Sequence, residues 1–198
     1  MSPLLTAPHH SSHSITTALD NGWVVHTRQA HLSDYAHVVG LHAMCSLASR
    51  ARRYAAGKPT LSLTEWTDMV ERPRALALLT VPDGDPTRVI AMTYLAEVTA
   101  EAGVADLGIL IADQAPDSFQ SLGLGTALAD HAARLARESG FHTLSVNVAD
   151  TNVRALAIVE HLGGPSLPQT PYLRSMALLG ADPDALHAGG DVELRIAL

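Results

Sequence analysis

Residues 120–126, a turn with the sequence QSLGLGT, lie between a predicted strand and a predicted helix. The strand is the apolar run 104–112, and the residues after the turn place apolar side chains at helical spacing. A helix begins with backbone N–H groups that have no partner within the helix, and its dipole is positive at this end. Glycine lets a backbone approach an anion closely, so Gly123 and Gly125 at this junction predict a pyrophosphate site.

Two other phosphate-binding patterns fit this turn less well. A dinucleotide-binding fingerprint of the type G-x-G-x-x-G requires a third glycine at position 128, which is occupied by Leu128. A Walker A loop requires Gly-Lys followed by Ser or Thr, and the chain contains no such run. The structural alternative is a glycine-containing helix start that holds no ligand.

The spacing Gln120-x-x-Gly123-x-Gly125 resembles the (Arg/Gln)-x-x-Gly-x-(Gly/Ala) motif of the GCN5-related N-acetyltransferase (GNAT) family. A second similarity lies in the later helix pattern, which has Asn152, then Ala155 three residues on, and a Leu-Gly ending. Both motifs occupy the order that the family uses, with a predicted strand between them.

The resemblance covers residues 88–164 well and becomes weaker upstream. Residues 41–46 and 50–60 look like the front of bacterial GNAT members related to protein-lysine acetyltransferases. This part of the resemblance favours lysine as the acceptor, but it contains no specific motif.

The resemblance implies an α/β architecture, the GNAT fold, with a mixed, mostly antiparallel central sheet flanked by helices. In this fold two strands splay apart and form the acetyl-CoA cleft; here they would be 106–112 and 144–149. Residues 1–21, rich in Ser, Thr, His and Pro, are predicted to be a flexible leader, and residues 22–198 one GNAT acetyltransferase domain. Further strands are predicted at 23–27, 75–81, 88–98, 141–148, 172–179 and 192–198, and helices after the capping box at Ser62 and over 152–162.

The resemblance also implies how the cofactor acetyl-CoA would be held. Backbone groups of the strand before the turn would bind the pantetheine arm, and an N–H near Leu110 or Ile111 would polarise the thioester carbonyl. Asn152 would bond to the arm from the other side, or act as a plain helix N-cap, or do both. The predicted cofactor-binding residues are Ile109, Leu110, Ile111, Gln120, Ser121, Leu122, Gly123, Leu124, Gly125, Thr126, Asn152 and Ala155.

Acetyl transfer to an amine needs a general base, because a primary amine is mostly protonated at neutral pH and cannot attack. Asp106 matches the position at which related lysine acetyltransferases carry an acidic residue, and Glu97 on the preceding strand is the second candidate. Neighbouring apolar residues would raise the pKa of either carboxyl. The alternative for Asp106 is a solvated carboxylate at a strand end.

The acid that protonates the departing thiolate has no clear candidate in the motifs. Val159 occupies the position at which the family often has Tyr, and Gly164 replaces the final aromatic residue. Tyr172 and Tyr94 are the candidate acids, and solvent can also protonate the thiolate, because a thiol pKa near about 8.5 makes it a tolerable leaving group. The missing Tyr also supports an alternative function, a non-catalytic acyl-CoA-binding sensor or partner module.

The charge of the chain argues against a nucleic-acid partner. Its formal net charge is −7, and it has no long run of Lys and Arg that would neutralise phosphates. A local basic patch, formed by Arg50, Arg52, Arg53 and Lys58, could face an anionic ligand, but a solvated helix end is the favoured interpretation.

Cys45 is the one cysteine, so the chain forms no intrachain disulfide, which fits a reducing cytoplasm. Its apolar neighbours predict a buried structural role. No apolar run approaches the length of a membrane span, no secretory signal is visible, and no metal site is expected. The predicted partners are acetyl-CoA and an amine acceptor, either a protein lysine or a small amine, and the chain is expected to be a monomer or homodimer.

Overall fold

The computed structural model describes residues 13–54, 58–114, 118–165 and 191–198. The strands are β1 (Ile15–Ala18), β2 (Val24–Gln29), β3 (Ala75–Pro82), β4 (Ala91–Glu97), β5 (Val104–Ile111), β6 (Thr143–Ala149) and β7 (Asp191–Ala197). The helices are a 3-10 turn (Leu32–Asp34), α1 (Tyr35–Ala43), α2 (Leu47–Tyr54), α3 (Leu63–Glu71), α4 (Leu124–Glu138) and α5 (Val153–His161).

The seven strands form one sheet in which they lie in chain order. Every neighbouring pair is antiparallel except β5 and β6, which run parallel. Parallel neighbours need a crossover connection, and α4 supplies it. The predicted mixed, mostly antiparallel sheet flanked by helices is therefore confirmed.

The sheet separates two apolar layers. On one face Trp66 of α3 is fully buried in a cluster with Leu79 and Met92, which are register partners on β3 and β4. On the other face Ala132 of α4 packs in a second cluster with Leu107 of β5. The small side chains of α4 let it lie close to the sheet. Packing on both faces fixes β5 and the start of α4, which the site requires.

The prediction of a flexible leader over residues 1–21 is wrong for residues 15–18, which form β1. Ile15 pairs with Thr27 in the antiparallel β1–β2 ladder, and Leu19 after the strand is buried in the core. The Thr-rich composition that favours a leader is also compatible with a strand, because Thr is a β-branched residue. The first twelve residues of the predicted leader lie outside the described residues, as does the predicted strand 172–179.

Helix α2 has no counterpart among the predicted elements. None of its eight residues is buried, and three of them are arginines. Its apolar stripe, Leu47, Ala51 and Tyr54, is short and lies among arginines, so it is weaker than the longer stripes that predict a helix. The capping box at the start of α3 is present as predicted, with Ser62 as N-cap and Glu65 three residues on.

Candidate functional site

The site begins where β5 and β6 diverge. Three residue pairs join these strands, and the last is Asp106 with Ser145, although β5 continues to Ile111 and β6 to Ala149. The unpaired parts form two walls of a cavity of about 860 Å³. Backbone N–H and C=O groups on these edges lack a sheet partner there and are available to a ligand. The predicted splaying of the two strands is thus confirmed.

Helix α4 starts at one end of this cavity. Its N-cap is Gly123, whose φ of +78° lies in the left-handed region that favours glycine. The first helical hydrogen bond runs from the N–H of Ala127 to the carbonyl of Gly123 at 3.1 Å. The N–H groups between these residues therefore have no partner within the helix, and the first turn carries no acidic side chain. This geometry suits a phosphate group.

The turn before α4 is held from outside by the β1–β2 connection. The N–H of Asp20 donates to the carbonyl of Leu122 at 3.2 Å, and Trp23 meets the buried Phe119 edge to face. A Cβ at Gly123 would lie 3.3 Å from Oδ1 of Asp20, so little room exists for a side chain. Part of the segment predicted to be a leader therefore supports the turn before α4.

Gly125 keeps the cavity open between β5 and α5. A Cβ at this position would lie 2.9 Å from Cδ1 of Ile158 and 3.5 Å from Cδ1 of Ile111. Most of the predicted cofactor-binding residues line the cavity: Ile109, Leu110, Ile111, Gln120, Ser121, Gly123, Gly125, Thr126, Asn152 and Ala155. The side chains of Leu122 and Leu124 instead pack in the core.

Asp106 lies in the cavity wall at the point where the strands separate. Burial raises the pKa of its carboxyl above the ordinary value and outweighs the opposing influence of Arg53 and Asn147. A carboxylate with a raised pKa is a stronger base than a solvated one. The arrangement therefore places a helix start with free N–H groups and a carboxyl of raised pKa at two parts of one cavity.

The chain matches a protein-family model described as "Acetyltransferase (GNAT) family" over residues 41–163. The chain belongs to the GNAT family of acetyltransferases. Curated protein sequences give no match.

Solved structures agree with the GNAT assignment at the level of the fold. The GNAT domain of S. lividans PAT superposes with a TM-score of 0.73 at 20% identity, covering 98% of this chain and 100% of that one. A spermidine N-acetyltransferase from Vibrio cholerae, in complex with CoA and spermine, gives 0.61 at 15% identity, covering 87% and 95%. The putative acetyltransferase yncA from Salmonella typhimurium, with its cofactor acetyl-CoA, gives 0.60 at 14% identity, covering 88% and 94%.

The described part of this GNAT chain contains no candidate membrane-spanning helix. Among residues 13–54, 58–114, 118–165 and 191–198, no helix combines the length and the apolar character that crossing a membrane requires.

Asn152 of the second GNAT motif caps α5. Its Oδ1 accepts a hydrogen bond from the N–H of Ala155 at 3.3 Å, so the N-cap role is observed. The residue also lines the cavity, which is the basis for the second role, contact with the pantetheine arm. Nearby, Arg154 donates to the side chain of Gln120 at 2.6 Å and thereby links α5 to the turn before α4.

Glu97, the second candidate base, lies away from Asp106. Its register partner on β5 is Ala105, so its side chain points to the opposite face of the sheet. Its carboxylate forms an ion pair with Nε of Arg74 at 2.7 Å, and it does not line the cavity. The structure thus leaves Asp106 as the one of the two candidates that faces the cleft.

Of the two candidate acids, the structure describes only Tyr94, which does not line the cavity. Tyr172 lies outside the described residues. Tyr94 is buried opposite Gly108, its pKa is raised by burial, and it does not line the cavity. Val159, in place of the family's Tyr, is buried against Gly164, where a Cβ would lie 2.5 Å from its Cγ1. The two departures from the family motif, Val159 and Gly164, therefore pack against each other.

Helix α2 contributes cavity-lining residues that the motifs do not indicate. Arg52, Arg53 and Tyr54 lie in the wall. The basic patch is favoured above as a solvated helix end, and this interpretation is wrong for Arg53, whose guanidinium lies over Gly108 of β5. A glycine inside a strand often marks the close approach of another group. Gly108 was therefore the one feature of the sequence that indicated this contact.

Cys45 is not a nucleophile in this fold. It is fully buried, its Sγ lies 3.7 Å from the carbonyl oxygen of Ile111, and burial raises its pKa to about 12. At neutral pH the side chain is therefore a thiol, which is a poor nucleophile. The predicted structural role fits this environment.

Proposed function

We propose that this GNAT chain is an acetyl-CoA-dependent N-acetyltransferase, which acetylates a primary amine by direct attack with general-base assistance. One observation carries the proposal: the cleft between β5 and β6 runs from the free N–H groups of α4 to the Asp106 carboxyl. Two of the similar structures contain CoA or acetyl-CoA, which supports the same cofactor here.

The cavity fits such a cofactor in size and in chemistry. Its volume of about 860 Å³ lies within the range of about 300–1,000 Å³ that is usual for small-molecule sites. The N–H groups after Gly123 would hold the diphosphate, and the unpaired edge of β5 up to Ile111 would hold the pantetheine amides. Acetyl-CoA, when bound, supplies an acyl group activated as a thioester.

Asp106 would prepare the acceptor for attack. The carboxylate takes a proton from the amine, which frees the nitrogen lone pair. The raised pKa of the Asp106 carboxyl makes proton transfer from the amine less unfavourable, because a carboxylate of very low pKa would hold the proton poorly. A backbone N–H near Leu110 or Ile111 would stabilise the negative charge that develops on the carbonyl oxygen.

Solvent is the proposed proton source for the departing thiolate. Val159 carries no proton, and Tyr54, the tyrosine in the cavity wall, bonds through its hydroxyl to His42 at 2.7 Å. Burial raises the pKa of Tyr54 to about 12, which makes it a weak acid. A thiol with an ordinary pKa near about 8.5 leaves without a dedicated acid at modest cost.

Substitutions at Asn152 separate its two roles. Asn152→Ala is expected to lower the free energy of unfolding by about 1 kcal/mol, the usual value of an N-cap side chain. Asn152→Ser keeps a capping oxygen but removes the amide NH₂, so its stability in urea is expected to stay near that of the wild type. If the amide contacts the pantetheine arm, both variants bind acetyl-CoA more weakly in calorimetry. Unchanged affinity in both would leave the N-cap as the sole role.

Thiol release from acetyl-CoA, measured with a panel of amines, tests the proposed function. The wild type is expected to release CoA only when an amine is present and to form the acetylated amine, detected by mass spectrometry. The competing function is an acyl-CoA-binding sensor, which Val159 in place of Tyr favours. Acetyl-CoA binding in calorimetry without release for any amine would support the sensor and contradict the transferase.

A further inference from the structure

Arg53 is a cation in the wall of the cleft, and no carboxylate among the described residues forms an ion pair with its guanidinium. Within the described residues its Nε is buried without a hydrogen bond. Arg50, on the same helix, also has a buried Nε without a hydrogen bond, but its Nη1 donates to the carbonyl of His42 at 2.8 Å. Burying a charged nitrogen without a partner costs free energy, so a ligand that brings an anion to Arg53 removes an existing penalty.

The position of Arg53 is built by its neighbours. Gly108 lies beneath the guanidinium, and a Cβ there would lie 2.3 Å from Cζ of Arg53. The ring of Tyr54 lies beside it, with Cζ 5.3 Å from the ring centroid. Tyr54 is held in turn by buried His42, whose Nδ1 donates to the carbonyl of Val38 at 2.7 Å and whose Nε2 accepts from the tyrosine hydroxyl. The guanidinium is thus oriented before any ligand arrives.

The guanidinium and the proposed base lie on the same face of β5. Gly108 follows Asp106 by two residues, so the two positions are about 7 Å apart along the strand. Arg53 is the strongest cationic influence on the Asp106 carboxyl, yet the two side chains form no ion pair within the described structure. A small molecule that carries an amine at one end and a carboxylate at the other offers each of these two groups a partner of opposite charge.

We propose that the acceptor is a free amino acid, whose amine lies at Asp106 and whose carboxylate is bound by Arg53. This inference rests on the proposed acetyltransferase function. A guanidinium and a carboxylate match in shape and make paired, charge-assisted hydrogen bonds. A diamine instead brings a second cation to Arg53, which costs repulsion and leaves the guanidinium unpaired.

Matched acceptors test the preference for a carboxylate. Each amino acid of a panel is compared with its own carboxamide, which keeps the amine and removes the negative charge. The wild type is expected to show a kcat/KM about 10–100-fold higher for the acid, the effect of hydrogen bonds to a charged group at about 1.5–3 kcal/mol. The lower amine pKa of the carboxamide favours it as a nucleophile, so any preference for the acid is a conservative measure.

Arg53→Gln is expected to abolish this preference, through loss of kcat/KM for the acid with little change for the carboxamide. Arg53→Lys keeps the positive charge but lacks the paired N–H donors of the guanidinium, so it should retain part of the preference. Arg137→Gln, an exposed arginine in the last turn of α4, is the matched control and should keep the full preference. A merely structural role of Arg53 would change both acceptors equally, and the ratio would not move.

Three results would overturn the inference, and they differ from one another. Equal kcat/KM for acids and carboxamides in the wild type removes the carboxylate site but leaves the transferase standing. Acetylation of lysine in peptides, without acetylation of free amino acids, points to a protein acceptor instead. Thiol release with none of these amines contradicts the transferase itself.

Discussion

Replacing Asp106 by Asn is expected to lower kcat by about 10²–10⁴-fold, the contribution of a positioned general base. Acetyl-CoA affinity should be unchanged, because the side chain lies at the point where the strands separate and not at the turn before α4. Steady-state kinetics and calorimetry measure the two quantities. Glu97→Gln is the matched control: its carboxylate lies on the opposite sheet face in an ion pair, and its turnover should stay near wild type.

The same substitution, Asp106→Asn, is expected to stabilise the fold although it lowers turnover. Because burial raises the pKa of Asp106, ionisation of this carboxyl disfavours the folded state relative to the unfolded state. That penalty is absent below the unfolded-state pKa, near about 3.9, and complete once the pH exceeds the folded-state pKa. Asp106→Asn should therefore raise Tm at neutral pH, and the gain should vanish as the pH falls to about 4.

Together these measurements separate a base from a structural carboxylate. A base gives a variant that is slower and more stable, and the pH dependence of its kcat loses the rising limb that ionisation of Asp106 produces. Turnover near that of the wild type at every pH would remove Asp106 from the mechanism. A lower Tm at neutral pH would show that the carboxylate stabilises the fold instead.

Gly125→Val is expected to weaken acetyl-CoA binding by about 10²–10⁴-fold. The added side chain meets Ile158 and Ile111 across the cavity, so the start of α4 or α5 must shift. The loss of two charge-assisted hydrogen bonds to the diphosphate, at about 1.5–3 kcal/mol each, gives this range. Calorimetry with acetyl-CoA measures it. Gly40→Val, on α1 with open space around the glycine, is the control and should bind normally.

Gly123→Val tests the backbone of the same turn. Its φ of +78° is unfavourable for a β-branched residue, so the turn must change conformation and redirect its N–H groups. Gly140, at the other end of α4, has a φ of +82° and open space around it, so Gly140→Val carries the same backbone strain away from the cleft. Loss of affinity in both variants alike would mean that instability, not the diphosphate contact, is the cause.

The turn before α4 and the central strands could be predicted because their patterns are local. Apolar runs, turn residues and the helical spacing after Gly125 each depend on neighbouring residues alone. The prediction that β5 and β6 splay apart came from the family resemblance, since no local pattern shows where two strands stop pairing. The β1 strand was missed because its Thr-rich sequence lacks an apolar alternation that stands out from a leader.

The remaining site residues depend on long-range packing. Sequence reasoning placed Asp106 ahead of Glu97 on the family resemblance, and only the register with β4 shows that the two lie on opposite faces. Arg53 was grouped with a solvated basic patch, because nothing in α2 itself shows that Gly108, on a distant strand, leaves room for its guanidinium. The sequence shows that basic residues cluster in α2, but only the folded structure shows which residues they face.

A crystal structure of the chain with CoA tests the central claim most directly. We expect the diphosphate within hydrogen-bond distance of the N–H groups between Gly123 and Ala127, and the pantetheine arm between the separated parts of β5 and β6. The thiol should lie on the Asp106 side of the cleft. A diphosphate bound elsewhere, with the α4 amides free and the cleft empty, would contradict the account.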